Sequence, residues 1–186
     1  MKTPLSLITA GILTAFSANA SDLVISGVVD ASLTGGLPKA VELYVVNDIP
    51  DLSVYGLGSA NNGGGTDGVE FTFPADSASA GSYIYVASEI DGFTEFFGYA
   101  PDYDTSAMGI NGDDAVELFE NEVVVDTFGD INVDGNGTAW EYLDGWAYRK
   151  DGSVANGGTF SSDNWTYSGV DALDDTATNA GATTPF

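Results

Sequence analysis

The stretch Ala115-Val116-Glu117-Leu118-Phe119-Glu120-Asn121-Glu122-Val123-Val124-Val125-Asp126-Thr127-Phe128 decides how this chain is read. Two runs rich in β-branched and aromatic residues flank a short polar break, Glu120-Asn121-Glu122, and no proline interrupts them. In the first run Glu117 sits alone among apolar neighbours, the pattern of a strand with one face on a core. The break suits a tight hairpin turn, which predicts antiparallel strands over Ala115 to Phe119 and Val123 to Phe128.

The same grammar recurs along the chain. Further strands are expected at Leu23 to Val29, Ala40 to Val46, Leu52 to Leu57, Val69 to Phe73, Ser82 to Ala87 and Gly145 to Arg149. Turn residues (Gly, Asn, Asp) separate them at intervals of about 8 to 15 residues, the spacing of a sandwich or barrel. Only Gly92 to Gly98, with Phe93, Phe96 and Phe97 at helical spacing, suggests a helical turn or two. Asn61 to Gly65 reads as a flexible loop tip. The polar tail from Asp171 to Phe186 is expected to lie extended along the domain or to fray. The expected fold class is therefore all-β, with at most one short helix.

At the start of the chain, Lys2, the apolar run Leu5 to Phe16 and the small-x-small triplet Ala18-Asn19-Ala20 have the layout of a cleavable signal peptide. The run is about 12 residues, short of the roughly 20 that span a bilayer. Residues 1–20 are thus expected to be removed, and residues 21–186 to form a single secreted domain, periplasmic or extracellular, with no membrane span.

Composition narrows the chemistry. The chain of 186 residues carries 28 acidic and 4 basic side chains, a formal net charge of −24, so direct charge attraction to nucleic acid is excluded. It has no cysteine, hence no disulfides and no thiolate metal sites. The absence of histidine removes Ser-His-Asp, Cys-His and HExxH arrangements and any histidine base. Carboxylate-only chemistry, as in glycosidases, passes this filter.

Three stretches carry a resemblance: Lys39-Ala40-Val41-Glu42-Leu43-Tyr44, Asn111-Gly112-Asp113-Asp114-Ala115-Val116-Glu117-Leu118, and Trp140-Glu141-Tyr142-Leu143-Asp144-Gly145-Trp146-Ala147-Tyr148-Arg149. With Val24-Ile25-Ser26 before them and Asp51-Leu52-Ser53-Val54-Tyr55 between, they resemble the lamin tail domain family as found in secreted bacterial proteins. The resemblance implies an immunoglobulin-like β-sandwich acting as a non-catalytic accessory module, often at the N-terminus of extracellular nucleases or phosphatases. The sequence reaches Phe186 where such enzymes continue into a catalytic domain, so no nuclease chemistry is expected from these residues. An accessory component of such an enzyme, or a remnant of one, is the alternative.

Two constellations remain. Asp130-x-Asn132-x-Asp134-Gly135-Asn136-x-Thr138-x-x-Glu141 fits the D-x-[DN]-x-[DN]-G-x5-E calcium loop at every specified position, so Asp130, Asn132, Asp134, Asn136, Thr138 and Glu141 are candidate Ca²⁺ ligands. An Asp/Asn/Gly-rich loop between strands looks the same for turn reasons alone. Asp113 and Asp114 read as a turn, with Asp114 able to join a cation only if the Asp130 loop lies beside it. Trp140, Tyr142, Trp146 and Tyr148 are aromatics at period two, continued by Trp165 and Tyr167. Inward-facing members would fill a sandwich core; aligned exposed ones would stack on sugar rings, making the domain a carbohydrate-binding module. The expected partner is thus an extracellular protein or polysaccharide.

Overall fold

The computed structural model describes residues 21–152 and 154–186; the expected signal peptide at 1–20 lies outside them. Along the chain come β1 (Leu23–Leu33), β2 (Leu37–Val45), β3 (Tyr55–Ala60), β4 (Phe71–Thr72), β5 (Tyr83–Ala87), α1 (Asp91–Phe97), β6 (Tyr103–Asp104), β7 (Ala115–Glu120), β8 (Val123–Phe128), β9 (Gly145–Arg149) and β10 (Trp165–Tyr167). They form a six-stranded sheet ordered β10-β9-β1-β2-β5-β6 and a four-stranded sheet ordered β4-β3-β7-β8. Every pairing is antiparallel except β5 with β6.

The β7–β8 hairpin closes with Glu120 opposite Val123. Its two loop residues, Asn121 and Glu122, both have positive φ (51° and 66°), the conformation whose twist matches the strands. The apolar faces of the two sheets meet in one core: Leu23, Ile25, Val41, Leu43 and Val86 come from the first sheet, and Leu57, Val116, Leu118 and Phe128 from the second. All nine are fully buried.

Strand β1 serves two cores because it changes face. Its register runs Ile25 opposite Leu43 and then Gly27 opposite Glu42, so Ser26 is an extra residue, a β-bulge. Before the bulge Leu23 and Ile25 point between the sheets. After it Val28 does so, while Val29 and Ala31 point to the opposite face. There Val29, Ala31, Ala40 and Ala87 are roofed by Phe93 and Phe96 of α1 and by Leu173 from the tail. A seven-residue helix is too short to persist alone, so these two buried phenylalanines hold it in place.

Arg149 and Asp126 lock the sheets together. Asp126 faces inward from β8 with its side chain fully buried and ion-pairs with the Arg149 guanidinium from β9. Beyond Gly27, β9 no longer pairs with β1. The N–H of Ile25 donates to Asp126 Oδ2 (2.9 Å) and its C=O accepts from Arg149 Nε (2.6 Å). Arg149 also donates to the Val154 carbonyl and lies 4.6 Å from the Trp165 ring centre, a cation–π distance.

Several expectations need correcting. Leu52–Val54 forms a 3-10 turn rather than the start of a strand, because the Asp51 carboxylate accepts from Ser53 N (2.9 Å); pairing begins at Tyr55. Of Val69 to Phe73, only Phe71–Thr72 is in strand. Asn61 to Gly65 is tied down: Asn62 N donates to Asp114 Oδ1 (2.8 Å) and Gly65 N to the Ile131 carbonyl (2.8 Å). The tail is ordered along the domain, with Leu173 fully buried. Trp140 and Tyr142 are not in strands at all but in the turns that lead into β9.

Replacing Arg149 by Met strands a buried carboxylate and an unpaired carbonyl, and is expected to cost about 3–5 kcal/mol in urea unfolding. Combining Arg149→Met with Asp126→Asn removes the stranded charge, so the double variant should lose less than the sum of the singles.

Candidate functional site

The loop that fits the calcium pattern spends its acids on its own backbone. Asp130 Oδ1 accepts from Asn132 N (3.0 Å), Asp134 Oδ1 from Asn136 N (2.9 Å), and Glu141 Oε2 from Gly137 N (2.7 Å). Thr138 Oγ1 accepts from Trp140 N (3.3 Å), and Asn132 and Asn136 are exposed. Four side-chain oxygens thus close local turns of the loop, and the carboxylates of Asp130, Asp134 and Glu141 are not drawn into one shell. The loop does lie beside Asp113, whose carbonyl accepts from Gly135 N (3.0 Å). Asp114 turns the other way: its two oxygens accept from Asn62 N and Asn111 N. Among the described residues, the one trio of carboxylates with oxygens within 4.8 Å of one another is Asp144, Asp171 and Asp174, which the sequence reading did not single out.

The four candidate binding aromatics divide. Trp140 and Tyr142 are 6 % and 0 % exposed, packed edge-on around Phe128 in the main core, where no ligand reaches them. Trp146 and Tyr148 alternate with the inward Ala147 on β9 and face the outer side of the six-stranded sheet. Trp146 Nε1 donates to the Thr184 carbonyl (2.8 Å), and Phe186 packs against both rings.

Tyr148 belongs to a row that crosses four strands: Tyr85 on β5, Glu42 on β2, Gly27 on β1 and Tyr148 on β9 are successive register partners. Tyr44 and Tyr83 form the neighbouring pair, ring centres 5.2 Å apart. Gly27 leaves a notch in this row that the Phe186 ring fills; a β-carbon there would collide with it. Beside the notch lies an open hollow of about 290 Å³ lined by Val24, Ser26, Tyr44, Tyr83, Tyr148 and the Arg149–Gly152 turn. A larger hollow of about 560 Å³ over Gly56 on the other sheet is lined by Val54, Val69 and Phe119 together with Ser53, Tyr55, Thr72, Asn121 and Glu122, and has one aromatic hydroxyl where the first has three.

Glu42 lies behind the hollow and is bonded to its lining through Ser26. It is 5 % exposed, and among the described residues no lysine or arginine forms an ion pair with it. Its Oε1 accepts from Ser26 Oγ (2.7 Å) and its Oε2 from Tyr85 OH (2.8 Å). Burial, then hydrogen bonding with Tyr99 and Glu42, holds the Tyr85 hydroxyl far above its ordinary range. Burial, then the Glu42 charge and hydrogen bonds with Glu42 and Tyr83, does the same to Tyr148. Both therefore stay neutral at any ordinary pH. The sequence signal for this site was the outward set Glu42 and Tyr44 on β2 with Tyr83 and Tyr85 on β5, which becomes legible only once those strands are known to be adjacent.

Asp134→Ala removes one turn-closing acceptor, and the caps predict that it lowers the melting temperature by the same few degrees with and without EDTA. Acid should stabilise the fold. Burial and then the charge of Asp114 hold Asp113 above the ordinary carboxylate range, as burial and then Asp174 and Asp171 do for Asp144. A raised folded-state pKa contributes stability below the unfolded value that is lost as pH rises through the folded one. At constant ionic strength, thermal melts should shift upward from neutral to mildly acidic pH, by less in Asp113→Asn/Asp144→Asn. No protein-family model matches the chain, and neither a curated protein nor a solved structure matches it.

Proposed function

We propose that the protein is a secreted, non-catalytic binding module of the lamin-tail, immunoglobulin-like type that holds a polysaccharide on the outer face of its six-stranded sheet. The observation that carries this reading is the hollow in which Tyr44, Tyr83 and Tyr148 stand around the Ser26 hydroxyl, itself bonded to the buried Glu42 carboxylate. Sugar rings offer apolar C–H faces and hydroxyl edges, and a tyrosine-lined surface answers both. The hollow lies open on a sheet face, which suits a polymer passing across it. Asp151 is the one acid among its lining residues and both oxygens of Glu42 behind it are already engaged, whereas glycosidase work needs a free general acid opposite a second carboxylate. The packing of two β-sheets supports the fold part of the reading. The acidic composition argues against a nucleic-acid ligand.

Affinity electrophoresis through gels containing soluble polysaccharides tests the reading. The protein from Ser21 onward should be retarded by at least one of them, and Tyr83→Ala, at a residue 46 % exposed and outside the core, should weaken that binding about tenfold, or ~1.4 kcal/mol. Mobility unchanged across neutral and charged polysaccharides, or wild-type retardation kept by both Tyr83→Ala and Tyr148→Ala, would overturn it.

A further inference from the structure

The outer face of the four-stranded sheet carries a buried polar row. Gly58 on β3, Glu117 on β7 and Thr127 on β8 are successive register partners, so they share one face, opposite the side that holds Val116, Leu118 and Phe128. Glu117 and Thr127 are each 2 % exposed. Among the described residues no lysine or arginine forms an ion pair with Glu117, and neither Glu117 Oε2 nor Thr127 Oγ1 has a hydrogen-bond partner. Asn156 fixes the Thr127 backbone, accepting from its N–H and donating to its carbonyl, and leaves the hydroxyl unused. Gly58 brings no side chain to the row; the Gly68 carbonyl oxygen takes the space where its β-carbon would stand. A carboxylate, a hydroxyl and a carbonyl oxygen are thus gathered under the loops that cover this sheet, and burying a carboxylate without a partner is costly.

A hollow of about 260 Å³ reaches the row at Thr127, between the segments 129–132 and 158–160. Asp130 and Asn132 stand in its wall, so a second carboxylate borders the way in. We propose that Glu117 and Thr127 form the inner end of a Ca²⁺ site, with Asp130 at its outer end. Oxygen donors of these kinds are what a hard cation takes, and two carboxylates balance a divalent one. Calcium accepts the irregular geometry that a rigid sheet and a surface loop provide, whereas magnesium demands a near-ideal octahedron and sheds its water reluctantly. The site is not the shell that the sequence pattern suggests: Asp134 and Glu141 stay with their own turns, and Glu117 takes their place. It is also independent of the polysaccharide hollow, which lies on the other sheet.

The test is a set of thermal melts. The protein from Ser21 onward is freed of metal with EDTA, dialysed into buffer of fixed ionic strength, and melted across a CaCl₂ series with a MgCl₂ series beside it. The wild-type Tm should rise saturably with calcium, by about 4 °C once calcium exceeds its Kd tenfold, and far less with magnesium. Glu117→Gln keeps the shape and removes the charge: calcium should no longer raise its Tm, and in EDTA it should melt at or above the wild type, because no charge is left to bury. Thr127→Val should raise the calcium Kd about tenfold, the loss of one ligand worth ~1.4 kcal/mol. A calcium response kept in full by folded Glu117→Gln overturns the site, as does wild-type melting that calcium and magnesium move equally. So does a response lost in Asp171→Asn/Asp174→Asn, which would put the ion at the carboxylate trio with Asp144. Should Glu117→Gln not fold, Thr127→Val decides by the same titration, an unchanged Kd overturning the site.

Discussion

Arg149 holds the fold at the point where it is weakest. A β-bulge lets β1 turn from one core to the other, and Ile25, paired with Leu43 of β2 on one side, has no β9 residue opposite it on the other. Here the gap is closed by a guanidinium and a carboxylate from opposite sheets, each bonding both the other and Ile25. The ion pair is satisfied on nearly all sides, which is the condition under which burying two charges is tolerated. Because its members come from β8 and β9, the same contact fixes how the two sheets are offset.

With 28 acids and 4 bases, the chain cannot pair its buried carboxylates with cations one for one. It uses backbone N–H groups and hydroxyls in their place. Asp114 accepts from two amides, Asp30 from Gly112 N as well as Lys39, and Glu42 from two hydroxyls. Each acid is thereby made into a geometric pin between segments distant in sequence, such as Asn62 and Asp114. The acidic residues so used are structural elements of the loops, while the exposed remainder supplies the solvated surface charge.

How far the sequence could be read depends on whether the information was local. The β7–β8 hairpin, β9 and the short helix were legible, because alternation and turn residues lie within a few positions of each other. The face change in β1 was not: Val24 to Val29 is apolar on both sides of Ser26, so periodicity gives no sign of the extra residue. Strands as short as β6 and β10 carry too few residues to show a pattern. The aromatic residues from Trp140 to Tyr148 looked like one alternating series, yet a turn at Asp144, with φ of 44°, separates core members from outward ones. The groove itself joins β1, β2, β5 and β9, and no window of sequence contains all four.

Phe186 fills the notch over Gly27 and packs edge-on against Tyr148, while Tyr148 also lines the hollow beside Glu42. The ring is held by Asn179, whose side chain bonds both the N–H and the C=O of Phe186. One tyrosine is therefore a shared wall between a groove and a strap drawn from the far end of the sequence. Whatever leans on that wall from the groove side presses on the seat of the strap, so the two are mechanically one unit. A glycine with no side chain of its own is what allows them to meet.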